Sequence, residues 1–204
     1  MYELLRITQQ AGKSGHMSTH GQAPPSHTRG RRTLPWGRLL WAGALLVLAL
    51  LLRGFVVQPH HIVTGSMEPT LAVGDRLVVD KLSYRLHPPR AGDVVVFEPP
   101  PELVRSGDLR GHSSIKRVIA LPGQEVRVHD GQVFVDGRPL HEPYVAKAPT
   151  YEWGPARVPE DMLFVLGDNR NGSSDSHVWG ALPMRSVTGR AWLRFWPPAR
   201  VGAL

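Results

Sequence analysis

The chain has no cysteine, which excludes disulfides, thiol catalysis and cysteine-based zinc sites and leaves the redox compartment open. Lysine is scarce as well. The formal charge of +7 rests mainly on arginine, and the only lysines are Lys13, Lys81, Lys116 and Lys147. A basic balance suits nucleic acid or an anionic membrane surface. The chain has no run of about five or more basic residues, and its few aromatics do not interleave with basic ones, so no nucleic-acid partner is expected. The ten histidines are scattered, His60-His61 being the only adjacent pair. No His-x-x-x-His spacing falls on a helical pattern, and neither a metal nor another cofactor is expected. Repeats are absent, and helical periodicity is nearly absent beyond residue 57.

The 204 residues allow one medium domain and an accessory segment. Residues 1–33 are polar and rich in Gly, Ser, His and Arg, and read as a disordered tail, with Met17 an alternative start. Residues 39–52 are apolar throughout and cover about 21 Å as a helix, short of the roughly 30 Å hydrocarbon core. Extending through Val57 brings this to about 28 Å and includes Arg53, whose guanidinium can reach the headgroups. Trp36 and Trp41 stand where interfacial aromatics belong. A cleavable leader would need a small-x-small site where the chain has Arg53-Gly54-Phe55-Val56-Val57, and a buried soluble helix would show a polar face. A transmembrane helix over 34–57 is the expectation. Arg29, Arg31, Arg32 and Arg38 precede its apolar run from Leu39, and after Arg53 the next basic side chain other than histidine is Arg76. The positive-inside rule places the N-terminus in the cytoplasm and residues 58–204 outside.

The runs 75–81, 93–98, 113–120, 125–128, 132–135 and 163–166 are rich in Val, Ile and Leu and bounded by Gly, Pro and Asp-Gly, which predicts a mainly β domain of short strands. Asp130-Gly131 between two alternating runs predicts a hairpin, and 99–111 a long surface loop.

Three stretches could carry chemistry. In Ile62-Val63-Thr64-Gly65-Ser66-Met67-Glu68-Pro69-Thr70-Leu71, Gly65 removes bulk beside the Ser66 hydroxyl and Pro69 stiffens the return. Alone, such small polar residues beside Gly and Pro usually mean a plain turn. A serine needs a base, usually histidine, and none of the histidines has a suggestive setting. Lys116 is the alternative. Strand alternation puts it on the face of Val118 and Ala120, with Arg117 opposite, where lost hydration would lower its pKa; a lysine at a strand edge reaching solvent is the other reading. The third stretch, 167–180, is dense in side chains that hydrogen-bond local backbone, and reads as a rigid polar loop able to brace a site.

With these stretches in this order after one apolar segment, the chain resembles the bacterial type I signal peptidases, or leader peptidases, over roughly 39–202. The resemblance rests on Arg53-Gly54-Phe55, Pro59, Gly65 to Leu71, Gly74-Asp75, Lys116-Arg117-Val118-Ile119-Ala120-Leu121-Pro122-Gly123, the stretch 167–180, and Gly189-Arg190-Ala191 with Phe195-Trp196-Pro197. It implies a membrane-anchored serine endopeptidase that cuts signal peptides from exported preproteins after small residues. It also implies an outer-face domain with a small inserted β subdomain over about 123–160. By the same resemblance Ser66 is the nucleophile and Lys116 the general base. Thr64 and the Ser66 N–H would form the oxyanion hole, Thr64 standing where serine is common, and Ser173 would orient the lysine. Asp168, Asn169, Arg170 and Asp175 would support the site, and Ile62, Val63, Met67, Leu71 and Ile115 would line substrate pockets. The implied partners are signal peptides and the lipid bilayer. Two residues depart from the family pattern. His177 replaces an arginine usual two residues after the aspartate, which puts an ion pair in doubt at neutral pH. His60 replaces an apolar pocket residue. A self-cleaving repressor-type Ser/Lys protease would instead carry a DNA-binding helix-turn-helix and an internal cleavage site, neither of which is evident. An inactive binding domain would have no need of Ser66, Lys116 and Ser173 together.

Overall fold

The computed structural model describes residues 36–55, 57–105 and 113–204, and side chains throughout these except at 51–55 and 57. The expected tail 1–33 and the 106–111 part of the expected loop lie outside the described residues.

Helix α1 runs Trp36–Phe55, built from leucine and alanine with no proline to interrupt it. Its described side chains are all exposed, Trp36 and Trp41 included, so the β domain does not cover them. The described apolar stretch, 39–50, is about 18 Å long as a helix. Among the described residues no helix is long and apolar enough to cross a membrane.

The strands in chain order are β1 (Val57–His61), β2 (Arg76–Asp80), β3 (Val94–Phe97), β4 (Ser114–Ala120), β5 (Glu125–His129) and β6 (Gln132–Val135). They continue with β7 (Arg138–Pro139), β8 (Trp153–Arg157), β9 (Met162–Leu166), β10 (Leu182–Pro183), β11 (Val187–Trp196) and β12 (Gly202–Ala203). Among the described residues, three short α-helices follow α1: α2 (Ser83–Leu86), α3 (Pro101–Arg105) and α4 (Ser176–Trp179). The larger sheet has the order β1-β2-β11-β3-β4-β9-β10, with β12 beside β11, and the smaller β7-β6-β5-β8. Neighbouring strands are antiparallel throughout.

Each run expected to be a strand is one, with its ends shifted by no more than one residue. The expected hairpin joins β5 to β6, and Asp130 and Gly131 both adopt positive φ, 49° and 71°, as a two-residue turn matched to strand twist requires. The sequence reading missed β11, the longest strand. Its arginines and glycine interrupt the apolar pattern, and it is bulged between Ala191 and Leu193. Gly189 is needed there, because a Cβ would stand 2.7 Å from the Asp80 carbonyl oxygen and 2.6 Å from Val79 Cγ1.

The core has three parts. Ile62, Met67 and Leu71 from the serine stretch pack with Leu77, Val79, Val94, Val96 and Ile115. Val95 and Phe97 point the other way, with Val118, Leu163 and Val165. This two-sided burial explains why β3 is a continuous valine run and not an alternating one. Ile119, Phe164 and Leu166 join the smaller sheet through Val126, Val128 and Val133. The register of β4 shifts between Val118 and Ala120, so the expected alternation from Lys116 does not run through to Ala120.

Candidate active site

Thr64 is extended (φ −132°, ψ 151°), and the chain then makes a single 3-10 turn, Gly65–Met67. Met67 and Leu71 are wholly buried and pin this turn to the core from beneath. From the far side the Asn169 backbone N–H donates to the Ser66 carbonyl at 3.0 Å, and its Nδ2 donates to the Gly65 carbonyl at 3.0 Å. Ser66 is therefore held on both sides, 8% exposed.

Strand β4 delivers Lys116, 5% exposed, so the solvent-reaching alternative is excluded. Its Nζ donates to Ser66 Oγ at 2.8 Å. Burial pushes the amine down to about 8, while Asp175 and then Asp168 pull it upward without overcoming the lost hydration. Deprotonated, the amine can accept the Ser66 proton across the same contact. Thr64 Oγ1 lies 3.4 Å from Ser66 Oγ, longer than an ordinary hydroxyl–hydroxyl hydrogen bond. Ser173 Oγ is buried with no hydrogen-bond partner among the described residues, and the bond to the lysine amine that the resemblance implies is not made. The hydroxyl instead crowds Gly167, where a Cβ would fall 2.3 Å from it, while Lys116 directs its amine at Ser66.

A cleft of about 600 Å³ opens over the pair. Ile62, Val63 and Ile115 line it as expected; Met67 and Leu71 do not, being part of the core below. His60 lines it too, and burial followed by the neighbouring His61 lowers its pKa, favouring a neutral imidazole.

The polar loop after β9 braces both partners. Asp168 accepts from Arg117 Nε at 2.8 Å and Nη2 at 2.7 Å, and from the Thr70 hydroxyl at 2.5 Å. It thereby ties β4 to the end of the serine stretch. Arg170 is fully buried, donates to the Gly167 carbonyl at 3.0 Å and forms a two-pronged pair with Glu142 at 2.7 and 2.6 Å. Asp175 accepts from the Gly167 N–H at 2.9 Å and meets His177 Nδ1 at 2.6 Å. A neutral imidazole can donate that bond, so the contact survives without the arginine.

Sequence reasoning missed Thr70, Glu142, Tyr144 and Tyr151. Glu142 is the counter-ion of Arg170, and the Arg117 guanidinium lies 3.9 Å above the Tyr144 ring. Tyr151 stacks on His177 with centroids 4.0 Å apart and planes at 10°. A buried arginine signals that some carboxylate faces it, but nothing local in the sequence says which. The side chains of His129, Asp130 and Glu152 could together hold a metal ion. They are partly to fully exposed on the smaller sheet, and His129 already bonds Glu152 at 2.6 Å.

The family model described as "Signal peptidase, peptidase S26" matches residues 36–196. The chain is 55% identical over 159 residues to a probable signal peptidase I-1 of Synechocystis, covering 78% of this chain and 81% of that protein. It is 49% identical over 162 residues to a signal peptidase I of Leptolyngbya laminosa, covering 79% and 80%. A probable thylakoidal processing peptidase 2 of Arabidopsis thaliana chloroplasts is 43% identical over 156 residues, covering 76% of this chain and 42% of that one. A crystal structure of a signal peptidase I from Enterococcus faecalis aligns with a TM-score of 0.43 at 30% identity, covering 51% of this chain and 97% of that one.

Proposed function

The chain belongs to the S26 family of signal peptidases, and from that premise we propose that it cleaves signal peptides from preproteins with Ser66 as nucleophile and Lys116 as general base. The chain is a serine peptidase, a hydrolase of the signal peptidase I type. The observation that carries the residue assignment is the 2.8 Å contact between a buried lysine amine and a serine hydroxyl. A neutral Lys116 takes the Ser66 proton as Oγ attacks the scissile carbonyl carbon. The Ser66 N–H and the Thr64 hydroxyl donate to the oxyanion. The ammonium then gives its proton to the departing amine of the mature chain as the C–N bond breaks, leaving Ser66 Oγ acylated by the signal peptide's terminal carbonyl. Water, deprotonated by the same amine, releases it. Ser173 serves as a support for the loop and as a candidate partner for the ammonium once Ser66 is acylated.

Pairing of β4 with β9 begins only at Arg117, which leaves Ser114–Lys116 with an unpaired edge toward the cleft. A substrate strand laid there meets Ile62, Val63 and Ile115, shallow apolar contacts suited to small residues such as alanine. In this proposal 34–57 spans the cytoplasmic membrane with the N-terminus inside, 58–204 acts at the outer face, and 123–160 forms an inserted subdomain carrying the smaller sheet. The polar clusters on the domain serve the site and not a nucleic acid.

Purified wild-type and Ser66→Ala chains incubated with one preprotein test the assignment: only the wild type should release the mature product. Equal cleavage by both would sink it. A reporter active only after export, fused behind Leu204, tests the orientation, and activity of a cytoplasm-only reporter there would overturn it.

A further inference from the structure

Asp175 is completely buried, and its carboxylate meets the Gly167 N–H with one oxygen and His177 with the other. Its charge reaches Lys116, whose ammonium it stabilises. His177 is clamped, with Asp175 at 2.6 Å along its Nδ1 edge and the Tyr151 ring stacked at 4.0 Å on its face. Swinging the imidazole out of this place breaks both contacts.

We propose that His177 is a positioning residue that acts through Asp175 on Lys116, setting how firmly the site holds the lysine's proton. The proposal rests on Lys116 being the base. A cation at position 177 offsets the Asp175 charge, weakens its hold on the ammonium and frees the amine at lower pH. A neutral group at 177 keeps the hydrogen bond but leaves the Asp175 charge uncompensated, so the amine is freed at higher pH. The other charged or titratable groups around the pair are Tyr151 and Glu142 from the segment before β8, Arg170 from the loop, and Arg117 with Asp168 beside the lysine. Glu142 and Arg170 neutralise each other, as do Arg117 and Asp168, which leaves Asp175 and His177 as the pair whose balance is adjustable.

The test is the pH profile of kcat on one preprotein for wild type, His177→Arg, His177→Gln and Asp175→Asn. The acidic limb should lie lower in His177→Arg than in His177→Gln, by on the order of one pH unit. It should also move down in Asp175→Asn, which removes the anion that stabilises the ammonium. A role confined to packing would change rates or melting temperatures but leave the limb in place. Coincident limbs in His177→Arg and His177→Gln overturn the proposal, as does an unmoved limb in Asp175→Asn should the arginine variant fail to fold. Failure of the underlying assignment looks different: Lys116→Arg would then remain active.

Discussion

Lys116 sits at about 8 where an ordinary lysine sits at 10.5, because burial removes the water that stabilises the ammonium. At pH 7 about one amine in ten is then neutral, against about one in 3,000 for free lysine, a gain of a few hundred-fold in available base. The kcat/KM profile for a preprotein should rise about tenfold per unit up to pH near 8 and flatten above it. The same shift acts on stability with a definite sign. Between about 8 and 10.5 the unfolded chain holds the lysine proton and the folded one does not, so stability rises with pH across that window. Below it the folded protein carries the full cost of a buried ammonium, on the order of 3 kcal/mol. Lys116→Met should abolish cleavage, raise stability at pH 7 by up to about that amount, and remove the rise with pH. Lys116→Arg, which cannot deprotonate, should be folded and inactive, while Lys81→Arg and Lys147→Arg retain activity. The assays are initial cleavage rates from about pH 6 to 10 and urea midpoints at either end. A limb near the ordinary lysine value, an active Lys116→Arg, or an unchanged pH slope of stability in Lys116→Met would refute the reasoning.

Thr64→Ala should lower kcat more than it raises KM, by about 2.7 to 4 kcal/mol of barrier if the hydroxyl turns to the oxyanion, with Thr64→Ser nearly silent; steady-state kinetics on both variants decide it. Gly167→Ala places a Cβ 2.4 Å from the Ser66 carbonyl oxygen, which is backbone and cannot turn aside. Its activity should fall by far more than its melting temperature suggests, and normal turnover would contradict the close approach. Glu142→Ala leaves Arg170 buried without its partner and should cost about 3 to 5 kcal/mol by chemical denaturation.

The strands of the β domain were legible wherever burial on one or both faces imposes valine and isoleucine, as at 93–98 and 132–135. They were illegible where sheet position overrides composition. The Gly-Pro within β8 reads as a turn, and β11 is a strand because both its edges are paired, not because its residues favour one. Ser66 and Lys116 could be singled out by rarity and setting, but their 2.8 Å approach is a product of tertiary structure. Val63 and Met67 show the limit of placing pockets by motif. Both flank the serine, yet Val63 faces the cleft at 69% exposure while Met67 has none. The buttresses Glu142 and Tyr151 were invisible because each meets its partner from more than twenty-five positions away in the chain.

The place of β11 bears on when the protease can come into being. Ser66 follows β1 and leads into β2, Lys116 lies on β4, and in the hydrogen-bonded order of the sheet β2 and β3 are joined through β11, which is laid between them. A ribosome that has made both reactive residues has still not made the strand that unites them. The larger sheet becomes continuous between the serine side and the lysine side only once residues 187–196 have been synthesised and slot into the gap.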